Sequence, residues 1–241
     1  MSLAPLDVSV VIPTYNERDG LTALTESIFG VFSESGLQGE VIFVDDASPD
    51  GTGELAETLK AKYRIQVLHR AGKLGLSSAV IEGFALSSAS ILGVMDADGS
   101  HDASILPQMV DAVRSGRADL VVGSRYVPGG GTKDWPWFRQ FASQVACTIG
   151  HILSPIRDIT SGYFVFRRNI LEGVQLNPIG FKILLEVAVK AHYTRFAEVP
   201  FVFRDREAGE SKFNRKEVMN YFKQVAGLMA YRTESLKKTR A

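Results

Sequence analysis

Short apolar runs, each ending in a polar cluster, alternate along the first half of the chain with stretches whose apolar residues recur every three or four positions. The runs at 8–13, 40–46, 65–69, 91–95 and 119–123 predict strands, several too uniformly apolar for a one-sided sheet and therefore buried on both faces. Between them the spacing predicts helices over 17–35, where Leu21, Leu24, Ile28, Val31 and Phe32 share a stripe, and over 53–62, 76–88 and 103–115. Pro13 is expected to stop the first strand. Strand and helix in alternation predict βαβ units and a parallel sheet, whose ligands bind beyond the carboxyl ends of its strands.

The second half changes character. Residues 128–137, "PGGGTKDWPW", are glycine-rich and aromatic and predict a mobile loop. A helix is expected over 137–153, another over 181–192, and strands at 163–167 and 196–203. Residues 214–231 predict an amphipathic helix with Val218, Phe222, Val225, Leu228 and Met229 on its apolar side. No internal repeat interrupts this order.

Polar clusters fall at the predicted strand ends: Thr14-Tyr15-Asn16-Glu17, Asp45-Asp46, Asp96-Ala97-Asp98 and Ser124-Arg125. One such cluster is routine, whereas carboxylates at three ends imply a shared, charge-rich pocket. Asp96 and Asp98 are two residues apart, so in extended backbone both side chains point to one side. Carboxylates held close repel unless a cation or a proton intervenes, and hard divalent ions prefer oxygen ligands completed by water and phosphate. The pair is thus a candidate Mg²⁺ or Mn²⁺ diphosphate anchor, with Ser100 and His101 in or near that shell; capping of the next helix or simple solvation accounts for an isolated Asp-x-Asp equally well. Tyr15 offers a flat face to a base, and Asp46 and Glu17 offer acceptors to a ribose or base edge. Charge at a helix N-terminus and turn formation are the plainer explanations for Glu17 and Asp46. Neither a Walker A loop nor a G-x-G-x-x-G follows the first strand, so a nucleotide is expected to be held by metal and side chains.

The 241 residues suffice for one large α/β domain, and 45% apolar with 22% charged residues is ordinary for a folded protein. The formal charge is zero but uneven. Residues 211–241 hold eight Lys and Arg against Glu217 and Glu234, a net of +6 that leaves −6 for residues 1–210. A basic tail on an acidic body suits an anionic surface or substrate, and equally a solvated helical face. Cys147 is the only cysteine, so no internal disulfide forms, in keeping with a reducing compartment. Residues 1–7 lack the pattern of a signal peptide, and no run of about 18 apolar residues predicts a transmembrane helix.

The motifs "VVIPTYNE" (10–17), "VDDASPDGT" (44–52), "KLGLSSA" (73–79), "MDADGSHD" (95–102), "VVGSRY" (121–126), "DITSGYFVFRR" (158–168), "GFKILLE" (180–186) and "VPFVFRDREAGESK" (199–212) occur in order. Together they resemble the family 2 glycosyltransferases of GT-A fold, most closely the dolichyl-phosphate (polyprenyl-phosphate) mannose synthases, over nearly the whole chain. The resemblance implies an α/β fold, Rossmann-like and mostly parallel, with a catalytic domain at 1–210. It casts 211–241 as a basic amphipathic C-terminal helix and tail of that same domain. It implies an inverting transfer of mannose from GDP-mannose to a polyprenyl monophosphate. Pro13, Tyr15, Glu17, Val44, Asp46, Asp96, Ala97, Asp98 and Arg125 match donor-binding positions. Asp98, with Asp96 and Ser100, matches the metal site, and Asp96, Asp98 and Arg125 the catalytic set. Arg206 and Lys212 match a basic pair facing phosphates. Gly99 departs from the pattern, which places a larger apolar residue there, and is expected to loosen the loop.

A lipid phosphate is already anionic, so its attack on the anomeric carbon needs positioning and charge control more than a strong base. The two amphipathic stretches, Trp137–Leu153 and Val218–Met229, are expected to lie on a bilayer and deliver that phosphate. This predicts a peripheral location on the cytoplasmic face of a membrane, with a possible membrane-anchoring partner protein and no nucleic-acid partner. A UDP-sugar donor carrying glucose or N-acetylglucosamine, or a nucleotide-sugar binding protein without turnover, stay open on the sequence alone.

Overall fold

The computed structural model describes residues 5–177, 179–204 and 215–240. Strands β1 (Val8–Thr14), β2 (Gly39–Asp45), β3 (Ile65–His69), β4 (Ile91–Val94) and β5 (Leu120–Ser124) alternate with helices α1 (Arg18–Ser35), α2 (Thr52–Leu59), α3 (Leu76–Leu86) and α4 (Leu106–Arg114). Then come β6 (Gly131–Lys133), α5 (Trp137–Gly150), β7 (Phe164–Arg167), α6 (Ile183–Lys190), β8 (Phe196–Pro200), β9 (Val202–Arg204) and α7 (Arg215–Arg240).

The main sheet has the order β3-β2-β1-β4-β7-β5-β8. It is parallel except for β7, which runs antiparallel to both β4 and β5. Period-2 alternation in β1 explains the layering. Val8, Val10 and Ile12 pack with Leu21, Ile28 and Phe32 of α1 and Met109 of α4 on one face. Val11 joins Val80 and Phe84 of α3, Leu184 of α6 and Leu228 of α7 on the other. The chain leaves β1 for β2 on one side and returns to β4 on the other, so the order reverses at β1 and opens a crevice at the carboxyl ends of β1 and β4.

Three expectations change, and one is placed in the sheet. β1 runs through Pro13 to Thr14, because its pairing with β4 ends at Val11 and the missing N–H meets no strand on that side. The strand expected at 163–167 is present as β7 and inserts between β4 and β5. The 196–203 stretch is two strands, split where Phe201 N–H donates to Ser124 O at 3.1 Å. The glycine-rich 128–137 segment is not wholly irregular: it carries β6, paired in parallel with β9. That pairing needs the backbone of Gly130 close to Ser124 and Arg125, where a Cβ would come within 2.5 Å of Ser124 O.

Candidate active site

At the end of β1 the chain turns sharply. Asn16 adopts φ 58°, its N–H donates to Ser48 Oγ at 3.1 Å, and Glu17 N–H donates to Thr52 Oγ1 at 3.0 Å. This holds the half-buried Tyr15 and Glu17 at the rim. Lys73 Nζ lies 3.8 Å from the centroid of the Tyr15 ring, over one of its faces. The 73–79 motif thus faces the β1 end.

The two aspartates at the end of β2 differ. Asp45 is structural, accepting from Thr14 Oγ1, Ser48 N and Ser48 Oγ at 3.1, 3.0 and 2.5 Å. Asp46 is 5% exposed and ion-pairs with Arg70 Nη1, while its Oδ2 accepts Gly75 N–H at 2.9 Å. The Arg70 side chain is 2% exposed and also donates to Ser78 Oγ at 2.6 Å and Gly75 O at 3.2 Å. Asp46 therefore ties the 70–78 loop to the sheet edge. Pro13 is half-buried in β1, whereas Val44 and Ala97 are buried.

At the end of β4, Asp98 Oδ1 accepts both the N–H and the hydroxyl of Ser100, at 3.1 and 2.5 Å. Gly99, at φ 71°, makes this turn possible. The loop is tied down by Asp98 rather than loosened by its glycine. The Asp96 side chain is 31% exposed. Gly162 packs against it so closely that a Cβ there would lie 2.8 Å from Asp96 Oδ2. His101 is buried beside Asp96, and that burial pushes its pKa down despite the nearby Asp96 and Asp98 carboxylates.

Among the described residues no three or more His, Cys, Asp or Glu side chains are grouped to enclose an ion. The donors present are two carboxylates and the Ser100 hydroxyl, the sparse oxygen set that a hard ion completes with phosphate and water. The residues fit Mg²⁺ or Mn²⁺ on those terms.

Arg125, at the end of β5, is 7% exposed and bound to Asp158, which is fully buried. Burial opposes its charge, but the hydrogen bonds and charge of Asp158 outweigh that and hold Arg125 above its ordinary range. Lys182 Nζ donates to Thr160 O at 2.9 Å. Its residue is only partly covered while its amine lies inside, and this burial, with Arg125 nearby, brings its pKa down to about 8. Arg125, Asp158, Thr160 and Lys182 thus form one charged floor, with Lys182 within electrostatic reach of Asp96. Arg206 and Lys212 lie outside the described residues. Asp158 and Lys182 carry no role in the sequence reading, and neither does Arg70. The first two stand in motifs "DITSGYFVFRR" and "GFKILLE", the only signal that pointed to them.

A cavity of about 280 Å³ opens beside this floor, between Arg125, Tyr126 and Thr132 and the α5 residues Gln140 and Gln144. The N-terminal part of α5 is strongly exposed on its apolar side: Trp137 by 79%, Phe138 by 60% and Phe141 by 63%. On α7, Val225 and Leu228 are buried in the core while Phe222 and Met219 are 51% and 57% exposed. Among the described residues no helix is long and apolar enough to cross a membrane.

Residues 9–175 match the profile of "Glycosyl transferase family 2". The chain is 43% identical over 233 residues to a dolichol-phosphate mannosyltransferase of Pyrococcus furiosus, covering 95% of this chain and 65% of that relative's length. It is 40% identical over 229 residues to a polyprenol monophosphomannose synthase of Mycolicibacterium smegmatis, covering 90% of this chain and 84% of that one. Its fold is similar to that of a mannosyltransferase from Pyrobaculum calidifontis solved with GDP-Man and Mn²⁺, with TM-score 0.63 and 17% identity over 93% of this chain and 65% of that one. On the profile match and these identities, the chain is a glycosyltransferase of family 2, grouped there with the dolichol- and polyprenol-phosphate mannosyltransferases.

Proposed function

We propose that this chain transfers mannose from GDP-mannose to a polyprenyl monophosphate, with inversion and with a divalent metal. What supports the reading is that Tyr15, Asp46 and the Asp96–Asp98 turn follow the carboxyl ends of three neighbouring strands, β1, β2 and β4. A nucleoside spans the β1 and β2 ends, on Tyr15 and beside Asp46, with Pro13, Glu17, Val44 and Ala97 shaping the slot. Its diphosphate meets the β4 turn. Asp98, Asp96 and Ser100 would hold Mg²⁺ or Mn²⁺, which when bound neutralises charge on the departing diphosphate.

The acceptor phosphate oxygen attacks the anomeric carbon from the face opposite the diphosphate. The new carbon–oxygen bond forms as the donor's breaks, and the electron pair leaves with GDP. No proton has to be removed from the nucleophile, so the chain's task is to place two anions against each other. The cavity beside Arg125, Gln140 and Gln144 is the proposed seat of the acceptor headgroup. Its position against α5 supports this, since Trp137, Phe138 and Phe141 would rest in a bilayer surface where the prenyl tail resides. Arg206 and Lys212 are proposed to hold phosphate oxygens as well.

The test is a donor panel of GDP-mannose, UDP-glucose and UDP-N-acetylglucosamine, each with a short polyprenyl phosphate and Mn²⁺. Lipid-linked mannose from GDP-mannose alone is the expected product; glucose transfer from UDP-glucose would replace the reading. Asp98→Asn keeps an oxygen for the Ser100 turn but removes the charge. It is expected to fold normally and lose metal-dependent donor binding; unchanged binding would remove Asp98 from the metal site.

A further inference from the structure

His101 is a buried ionisable group that the proposed reaction leaves without a task. Its side chain is 2% exposed. The ring stacks on Tyr163 at 5.0 Å between centroids and meets Phe201 and Phe203 edge-on at 5.5 and 5.7 Å. The box is itself fixed: Tyr163 hydroxyl donates to Asp102 O at 3.2 Å, and Arg204 N–H donates to Ser100 O at 3.3 Å. The ring therefore has no room to turn.

Both nitrogens serve one residue. Nδ1 accepts the backbone N–H of Asp96 at 3.1 Å. Only an unprotonated ring nitrogen accepts, so this hydrogen bond alone makes the imidazole neutral with its proton on Nε2. Nε2 lies 3.7 Å from Asp96 Oδ2, too far for a hydrogen bond and near enough for its N–H dipole to bias the carboxylate's direction. The carboxylate sits against Gly162, in space that a Cβ there would take at 2.8 Å from Oδ2. With Nδ1 occupied, Nε2 facing Asp96 and the ring almost without exposure, His101 is badly placed to ligate an ion itself.

We infer that His101 is a positioning residue for Asp96: the Asp96 main chain locks it in the Nε2–H tautomer, and in that state it aims the Asp96 carboxylate at the bound metal and nucleotide. This rests on the proposed reading, in which Asp96 and Asp98 face a divalent ion and a diphosphate. It separates His101 from Ser100, whose hydroxyl lies on the Asp98 side of the turn and remains a candidate ligand.

The experiment measures binding of GDP with Mn²⁺ by titration calorimetry on the full chain. His101→Phe fills the aromatic box without nitrogens, and His101→Asn restores an acceptor near the Nδ1 position. The Phe variant is expected to melt cooperatively and to bind at least about tenfold more weakly, as removal of a ligand's outer partner does, with part of the loss recovered in the Asn variant. A folded Phe variant that binds like the parent overturns the inference.

Should the Phe variant not fold, ¹⁵N NMR decides on the chain carrying His69→Gln, His151→Gln and His192→Gln, all at exposed positions. A bare Nδ1 and a protonated Nε2 are expected. A protonated Nδ1, or two tautomers in exchange, overturns the inference. If the parent chain shows the expected tautomer but binds no GDP with Mn²⁺, the donor reading fails instead.

Discussion

Asp158 accepts three hydrogen bonds from Arg125: from the backbone N at 2.9 Å, from Nε at 2.7 Å and from Nη2 at 2.6 Å. The aspartate has no exposure, and its guanidinium partner has 6%. A second Nη2 bond reaches Thr160 Oγ1 at 3.1 Å. Removing one member of such a buried pair leaves an uncompensated charge in a low-dielectric setting. Asp158→Ala is therefore expected to lower stability by about 3–5 kcal/mol, read as a shift in the urea midpoint. Arg125→Met with Asp158→Leu should recover part of the loss. A single-variant effect below about 1 kcal/mol, the range of exposed pairs, would refute this account.

Lys182 makes the stability of the fold rise with pH. Its folded pKa is brought down to about 8 from an ordinary 10.5, chiefly by burial. Between those values the unfolded chain binds the extra proton, so unfolding becomes harder as pH rises through that window. Below the folded pKa the full penalty of burying the ammonium is present. At one pKa unit per about 1.4 kcal/mol, the window spans roughly 3 kcal/mol. The buried tyrosines contribute with the opposite sign, since their pKa values are raised. The difference between the parent and Lys182→Met isolates the lysine. That difference should shift by this amount from pH 8 to above 10; a flat difference curve would show that the amine titrates normally.

Gly99 stands at φ 71° with nothing within 4 Å of where its Cβ would be. Space does not forbid a side chain there, and only the backbone does. Gly99→Leu should cost about 1–2 kcal/mol by chemical denaturation, with Gly99→Asn costing less because asparagine tolerates the left-handed region. Equal losses for both would point to crowding instead.

The exposed face of α5 is expected to bind bilayers. Trp137→Ser with Phe141→Ser removes two side chains that are 79% and 63% exposed, so the melting midpoint should hold. Association with anionic phospholipid vesicles should fall by at least about tenfold, given the apolar area withdrawn from the interface. Vesicle binding that survives the double substitution would move the contact elsewhere.

Much of the site's outline was legible in the residues. The apolar runs ending in Thr14-Tyr15, Asp45-Asp46 and Asp96-Asp98 placed three clusters at one sheet edge, because the period-2 pleat and the βαβ rule are local. Local pattern does not separate Asp45 from Asp46; the family resemblance alone favoured Asp46. They are adjacent and chemically identical, and they part only because Arg70 reaches one while Thr14 and Ser48 take the other. The apolar stripes of α5 and α7 were visible too. That α5 exposes Trp137 and Phe141, whereas α7 buries Val225 and Leu228, depends on which neighbours arrive.

What the sequence determined by itself was the alternation of strand and helix, the edge at which chemistry gathers, and the family motifs in their order. These follow from propensity and periodicity within a few residues. Only the tertiary structure decided the antiparallel insertion of β7, the small β6–β9 sheet, and the partners of Asp46 and Arg125. Each of these joins residues far apart in the chain, as Arg125 and Asp158 are. Such pairings depend on loop closure and mutual burial, which no local pattern encodes.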